Sequence, residues 1–164
     1  MITDQIVSFL NGLSPKWIIT IIAAMPVVEL RLAIPYGIVK MGMAVKTVFI
    51  FSLLGNMLPV LPLLYLLDPI SKQLRKIKIC DIFFNWIFER TKKRSKVVEQ
   101  YELLGLVILV AIPLPMTGAW TGAIAAFLFG LNKRASFFAI GLGVFIAACI
   151  VTILTVGIQG LFAG

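Results

Sequence analysis

Apolar residues fill four long stretches of this chain, residues 17–39, 47–67, 103–131 and 135–163, with shorter polar connections between them. Each stretch approaches or exceeds the roughly 20 residues a helix needs to cross a bilayer. Two of the four are interrupted by residues that a plain membrane helix avoids. The first break reads Met25-Pro26-Val27-Val28-Glu29-Leu30-Arg31-Leu32-Ala33-Ile34-Pro35-Tyr36-Gly37. The second reads Ala111-Ile112-Pro113-Leu114-Pro115-Met116-Thr117-Gly118-Ala119-Trp120-Thr121-Gly122. In lipid, a broken helix is tolerated only where it is buried in protein or lines a wet cavity. Pro/Gly-interrupted segments in corresponding halves of a chain point to a transporter's binding site.

The halves share a pattern: a broken apolar stretch, a short basic connection, then a second apolar stretch. Sliding the sequence by 87 positions puts Pro26 on Pro113 and Lys46 on Lys133, although identity elsewhere is poor. Between the halves lies a polar segment, 68–102, that holds nine of the fifteen Lys/Arg and five of the seven acids. Its apolar core, 79–88, is too short to span and suits an amphipathic helix lying on the membrane. The run Arg90-Thr91-Lys92-Lys93-Arg94-Ser95-Lys96 would then meet anionic headgroups at the cytoplasmic face. With membrane segments on both sides, this basic run is read as a lipid contact and not as a nucleic-acid site.

Two topologies compete. If all four stretches span, Lys/Arg divide ten on the linker side against four on the other; if each broken stretch is a re-entrant hairpin, they divide eleven against three, leaving Arg31 uncounted. The positive-inside rule favours the second slightly, and the density of Pro, Gly and charge across the two breaks decides for it. The expected fold is an all-α integral membrane protein of the inner or plasma membrane. It has two inverted halves, each a re-entrant helical hairpin plus a transmembrane helix. The single domain 1–164 divides into an interfacial helix (1–16), a first half (17–67), the amphipathic basic linker (68–102) and a second half (103–164). A chain this short encloses little alone, so a homodimer among membrane lipids is expected.

Composition narrows the chemistry. Hydrophobic residues make up 60% and charged residues 13%, against about 25% charged in soluble domains. The first fifteen residues lack the basic start of a cleavable signal and carry Asp4. Histidine, the usual acid/base side chain, is absent altogether. Cys80 and Cys149 sit in unlike surroundings with no metal-ligand spacing, and Cys149 reads as a small buried hydrophobe. No phosphate-binding loop, nucleophile elbow or zinc-protease motif occurs. The chain is therefore read as neither an enzyme nor an ATP-driven pump, and no cofactor is expected.

Glu29 and Arg31 are the sharpest signal, because an ionisable group at membrane depth costs about 2.5–3.5 kcal/mol on insertion scales. Residues two apart do not face each other on an α-helix, so if the two pair, the backbone between them is not helical. Either they form a salt bridge that holds the hairpin shut, or Arg31 meets an anionic group in fork geometry while Glu29 carries a proton. Pro26, Pro35 and Gly37 are expected to mark where the first break begins and ends. In the second, Thr117 and Thr121 can give hydroxyls to freed carbonyls or to a ligand. Gly118 and Gly122 form a close-approach pair, and Trp120 is a gate, a packing residue or an interface anchor. Asn56, with Gly55, Pro59 and Pro62, is expected on a kinked spanning helix and to bond across to a neighbour. Gly141, Gly143 and Gly157 read as packing positions.

The string from Glu29 to Gly37, together with Pro113-Leu114-Pro115-Met116-Thr117-Gly118-Ala119-Trp120-Thr121-Gly122-Ala123, closely resembles the putative small multidrug export protein family over about residues 17–160. The layout also looks like a shortened relative of the DedA/VTT superfamily. That likeness implies two hairpins face to face, acidic and arginine residues at their tips, and lipid translocation, with Glu29 and Arg31 in the tip roles. The second break carries no charge, so a second tip arginine has no counterpart there. Three functions stay open. One is a secondary transporter or flippase for an anionic lipid or phosphate-bearing substrate, driven by a proton or sodium gradient. The others are a proton-coupled small multidrug exporter and a non-transporting protein that organises lipid. The candidate site residues are Glu29, Arg31, Pro35, Asn56, Thr117, Gly118, Trp120 and Thr121.

Overall fold

The computed structural model of the protein describes residues 12–74, 96–113 and 117–163. Outside the described residues lie most of the expected interfacial helix, the 79–88 core of the basic linker with Cys80, and residues 114–116 of the second break. The described residues are helical, with no strand among them. Seven α-helices follow in order: α1 (Pro15–Ala24), α2 (Glu29–Pro35), α3 (Val45–Met57), α4 (Val60–Leu74), α5 (Lys96–Ala111), α6 (Ala119–Leu128) and α7 (Lys133–Ala163). A π-helical turn, Tyr36–Lys40, extends α2.

Two segments, Val45–Leu67 and Lys133–Leu161, are long and apolar enough to cross a membrane, the first with a turn at Leu58 and Pro59 inside it. Their outer faces carry large apolar side chains in the open: Phe138 is 73% exposed, Ile153 71% and Leu161 82%. Apolar surface on this scale needs a covering, and lipid supplies it without further structure.

The chain forms two compact units, Met1–Asn56 with Ala148–Gly164, and Met57–Ala147. These boundaries differ from the sequence halves, since the end of α7 belongs with the first unit. In the first unit α1 and α2 pack on each other, with Ile19, Ile22, Leu30 and Ile34 fully buried. In the second, α6 packs on α4 and α5 around Val60, Val110, Ala123 and Ile140.

Local chemistry explains the element ends. Pro15 occupies the first turn of α1, where its missing N–H costs nothing. That helix stops at Ala24 because Met25 precedes Pro26, and a residue before proline is pushed to extended backbone (φ −71°, ψ 140°). After α6 the chain closes in a Schellman motif: Leu131 N–H donates to Ala126 O, Gly130 N–H donates to Phe127 O (both 2.9 Å), and Gly130 takes φ +61°. Asn132 Oδ1 then caps α7 by accepting from Arg134 N–H (3.0 Å) and Ala135 N–H (3.3 Å).

Two features of the halves share a spacing, one position off the 87 of the sequence comparison. The glycines, Gly42 and Gly130, both have φ +61°, and α3 and α7 begin at Val45 and Lys133, the same 88 positions apart.

Pro35 and Gly37 correct the expectation that they close the first break. The break is only residues 25–28; α2 runs through Pro35, and the chain then loosens into the π turn, with Met41 N–H donating to Tyr36 O at 3.1 Å. A proline removes one donor, and a π turn absorbs that loss without ending the helix. Gly37 adopts no left-handed conformation. It matters by having no side chain, since a Cβ there would lie 2.8 Å from Val48 and 2.9 Å from Ile19. Gly143 is tight against Val110 and the carbonyl of Val107, and Gly141 touches Met57, as packing positions should. A Cβ at Gly157 would meet nothing within 4 Å among the described residues. Cys149 is free and half-buried.

Candidate functional site

The first break is a four-residue turn whose ends are tied. Met25 N–H donates to Ile22 O (3.2 Å) and Glu29 N–H donates to Met25 O (3.1 Å). Pro26 and Val27 stand out at its tip, Val27 being 86% exposed. The chain re-enters the helix at Glu29, which has φ +49°; no other non-glycine among the described residues has a positive φ. A side chain in this left-handed region costs about 1–2 kcal/mol, and such strain persists where the surroundings enforce it, often at functional sites.

Glu29 is also buried, at 5% exposure. Its carboxylate acts electrostatically on the half-buried guanidinium of Arg31. A regular helix would turn positions 29 and 31 away from each other. The left-handed residue at the start of α2 makes the backbone there non-helical, as a pairing of the two would require. Burying the two charges together costs much less than burying either alone.

Asn56 lies in the same unit as Glu29, Arg31 and Pro35, near the end of α3. It is buried as expected, but its Oδ1 makes no hydrogen bond with the described residues, so the bond expected of that oxygen is not present. Ser52, one turn earlier on the same face, is fully buried and its Oγ is likewise without a hydrogen bond. Sequence reasoning does not single out Ser52. Its one signal is the cluster Ser52-x-x-Gly55-Asn56 on one face of an otherwise apolar helix.

The remaining candidates belong to the second unit. Thr117 Oγ1 donates to Ile112 O at 3.0 Å. Thr121 Oγ1 accepts from Gly118 N–H (2.7 Å) and donates to Gly118 O (3.1 Å), which caps α6. Both threonine hydroxyls thus serve backbone groups freed by the break. Gly118 is extended, and Gly122 lets α5 come close, since a Cβ there would sit 2.6 Å from Val110. Trp120 is half-buried.

A cavity of about 330 Å³ lies between α5 and α6, lined by Glu102, Gly105, Leu106, Leu109, Ala125 and Phe129. Its walls are apolar except for one carboxylate. In the sequence Glu102 is only one more acid of the linker, with nothing to show that it faces a cavity.

Comparison with known proteins gives one family match: the family described as "Putative small multi-drug export protein" fits residues 29–150, beginning at Glu29 itself. No curated protein and no solved structure matches the chain.

Proposed function

Because the chain belongs to that export family, we propose that it is a small, ion-gradient-driven secondary transporter or flippase whose substrate carries an anionic group, such as a phosphate-bearing lipid. The observation that carries the proposal is the buried Glu29, held in left-handed backbone beside Arg31 at a helix break. Arg31 offers a fork of donors suited to phosphate oxygens. Glu29 already occupies that charge, so an incoming anion must compete with it. When Glu29 takes a proton, its hold on Arg31 weakens and the guanidinium turns to the substrate. Proton and anion then bind together, and deprotonation of Glu29 expels the anion.

In this reading each pair of short helices is a re-entrant hairpin, and the two halves have opposite orientations in the bilayer. Three of the four lengths support it, since α1 has ten residues, α2 seven and α6 ten, against about 20 for a span, while α5 has sixteen. The basic linker 68–102 lies on the cytoplasmic face, and the working unit is a homodimer. The test is transport in proteoliposomes: wild type moves a phosphate-bearing lipid down a pH gradient, while Glu29→Gln and Arg31→Ala do not. Transport unchanged in both variants would reduce the pair to a structural clamp.

A second reading, export of lipophilic cations, is favoured by the α5–α6 cavity, where apolar walls, Phe129 and the Glu102 carboxylate match such a ligand. Tetraphenylphosphonium flux in the same vesicles separates the two.

A further inference from the structure

We infer that the buried face of α3 carrying Ser52 and Asn56 is a binding site for a small dehydrated monovalent cation, sodium by size and chemistry. Four observations converge, all within the first unit or its covalent structure. Ser52 is 0% exposed and Asn56 1%, and Ser52 Oγ and Asn56 Oδ1 lie out of water without hydrogen bonds to the described residues. A buried hydroxyl or amide oxygen left this way is costly, and serine in a helix ordinarily has the carbonyl four residues back within reach. Being four apart, the two oxygens share one helix face.

Between them, Gly55 brings α1 into backbone contact, with a Cβ there falling 2.2 Å from the carbonyl oxygen of Thr20. A third oxygen therefore meets the same face. Finally, α3 ends at Met57, where the carbonyls of the last turn carry the negative end of the helix dipole. Pro59, four residues after Gly55, has no N–H to give to the Gly55 carbonyl. Neutral oxygens at the C-terminal end of a broken membrane helix are the donor set that hard monovalent cations take. The close approach at Gly55 leaves little room, which favours sodium over potassium.

This inference does not rest on the transport proposal and is tested apart from it. The thermal unfolding of purified protein is measured in detergent at fixed ionic strength, with sodium, potassium or N-methylglucamine as the cation and no substrate present. Sodium alone raises the Tm of wild type by roughly 3–6 °C, saturably. Ser52→Ala, which removes a hydroxyl without a hydrogen bond to the described residues, keeps the potassium-form Tm and loses the sodium shift. Asn56→Ala also loses it. No sodium-selective shift in wild type, or an undiminished shift in both variants, overturns the site. A sodium shift without lipid transport would sink the transport proposal and leave the site standing. Lipid transport without a sodium shift would do the reverse.

Discussion

Two residues before the half-buried Arg31, the buried Glu29 takes a left-handed backbone conformation (φ +49°) where the chain enters α2. That angle belongs to no regular helix. It also inverts an ordinary rule. Inside a helix alanine is better than glycine by about 1 kcal/mol, whereas in left-handed backbone a Cβ costs about 1–2 kcal/mol. Glu29→Gly is expected to be more stable than Glu29→Ala by roughly 1 kcal/mol, as read from thermal or denaturant unfolding. The usual order, alanine above glycine, would show that the strain is not there.

The glycines of the long helices separate by what surrounds them. Gly55→Ala drives a methyl group against the backbone of Thr20, which cannot turn aside, and should destabilise by about 1–3 kcal/mol or more. Gly157→Ala meets nothing within 4 Å and should stabilise by up to about 1 kcal/mol through helix propensity. Unfolding midpoints of the two single variants measure both signs. Similar effects would contradict the packing described for α1 and α3.

At the second break, Thr121 holds the start of α6 through both its bonds to Gly118. Thr121→Ala should cost about 1 kcal/mol, and Thr121→Ser should restore most of it because the hydroxyl returns. Unfolding of the pair distinguishes this cap from a ligand-binding role, in which substrate affinity would fall with stability unchanged.

The cavity between α5 and α6 has a direct probe. Gly105 lines it and has no described atom within 4 Å of where a side chain would begin, so Gly105→Leu can start into the space without strain at its Cβ. If lipophilic cations use the cavity, tetraphenylphosphonium binding falls at least about tenfold, the effect of some 1.4 kcal/mol, and Tm does not fall. Undiminished binding would remove the second reading.

Much of the fold and the site is legible in the residues. Pro26 and Pro113 announce the breaks because proline acts locally, through its missing donor and through the residue before it. Glu29 and Arg31 announce themselves because charge among apolar residues is costly wherever the chain goes. The rest depends on neighbours far along the sequence. Pro35 loosens a helix where it is expected to end a break, since a single lost bond can be absorbed by a wider turn. Gly37 makes room for Val48 and Ile19, while Gly157 has no described neighbour within 4 Å, a difference set by packing alone. Ser52 looks ordinary because a lone helical serine usually bonds to its own backbone. No residue type foretells the left-handed angle at Glu29, which the fold of the turn imposes on an amino acid that seldom adopts it.

The competition between Glu29 and an anion for Arg31 can be read in one titration. The affinity of purified protein for a polyprenyl phosphate is measured by tryptophan quenching from about pH 8 to about pH 5, in wild type, Glu29→Gln and Arg31→Ala. On the proposed mechanism protonation of Glu29 releases Arg31, so wild-type affinity is expected to rise as pH falls, by at most about tenfold per pH unit for one linked proton. Glu29→Gln mimics the protonated state; it binds tightly at every pH and keeps only the slope due to the lipid phosphate itself. Arg31→Ala does not bind. The same pH slope in Glu29→Gln as in wild type, or full binding by Arg31→Ala, would contradict the account.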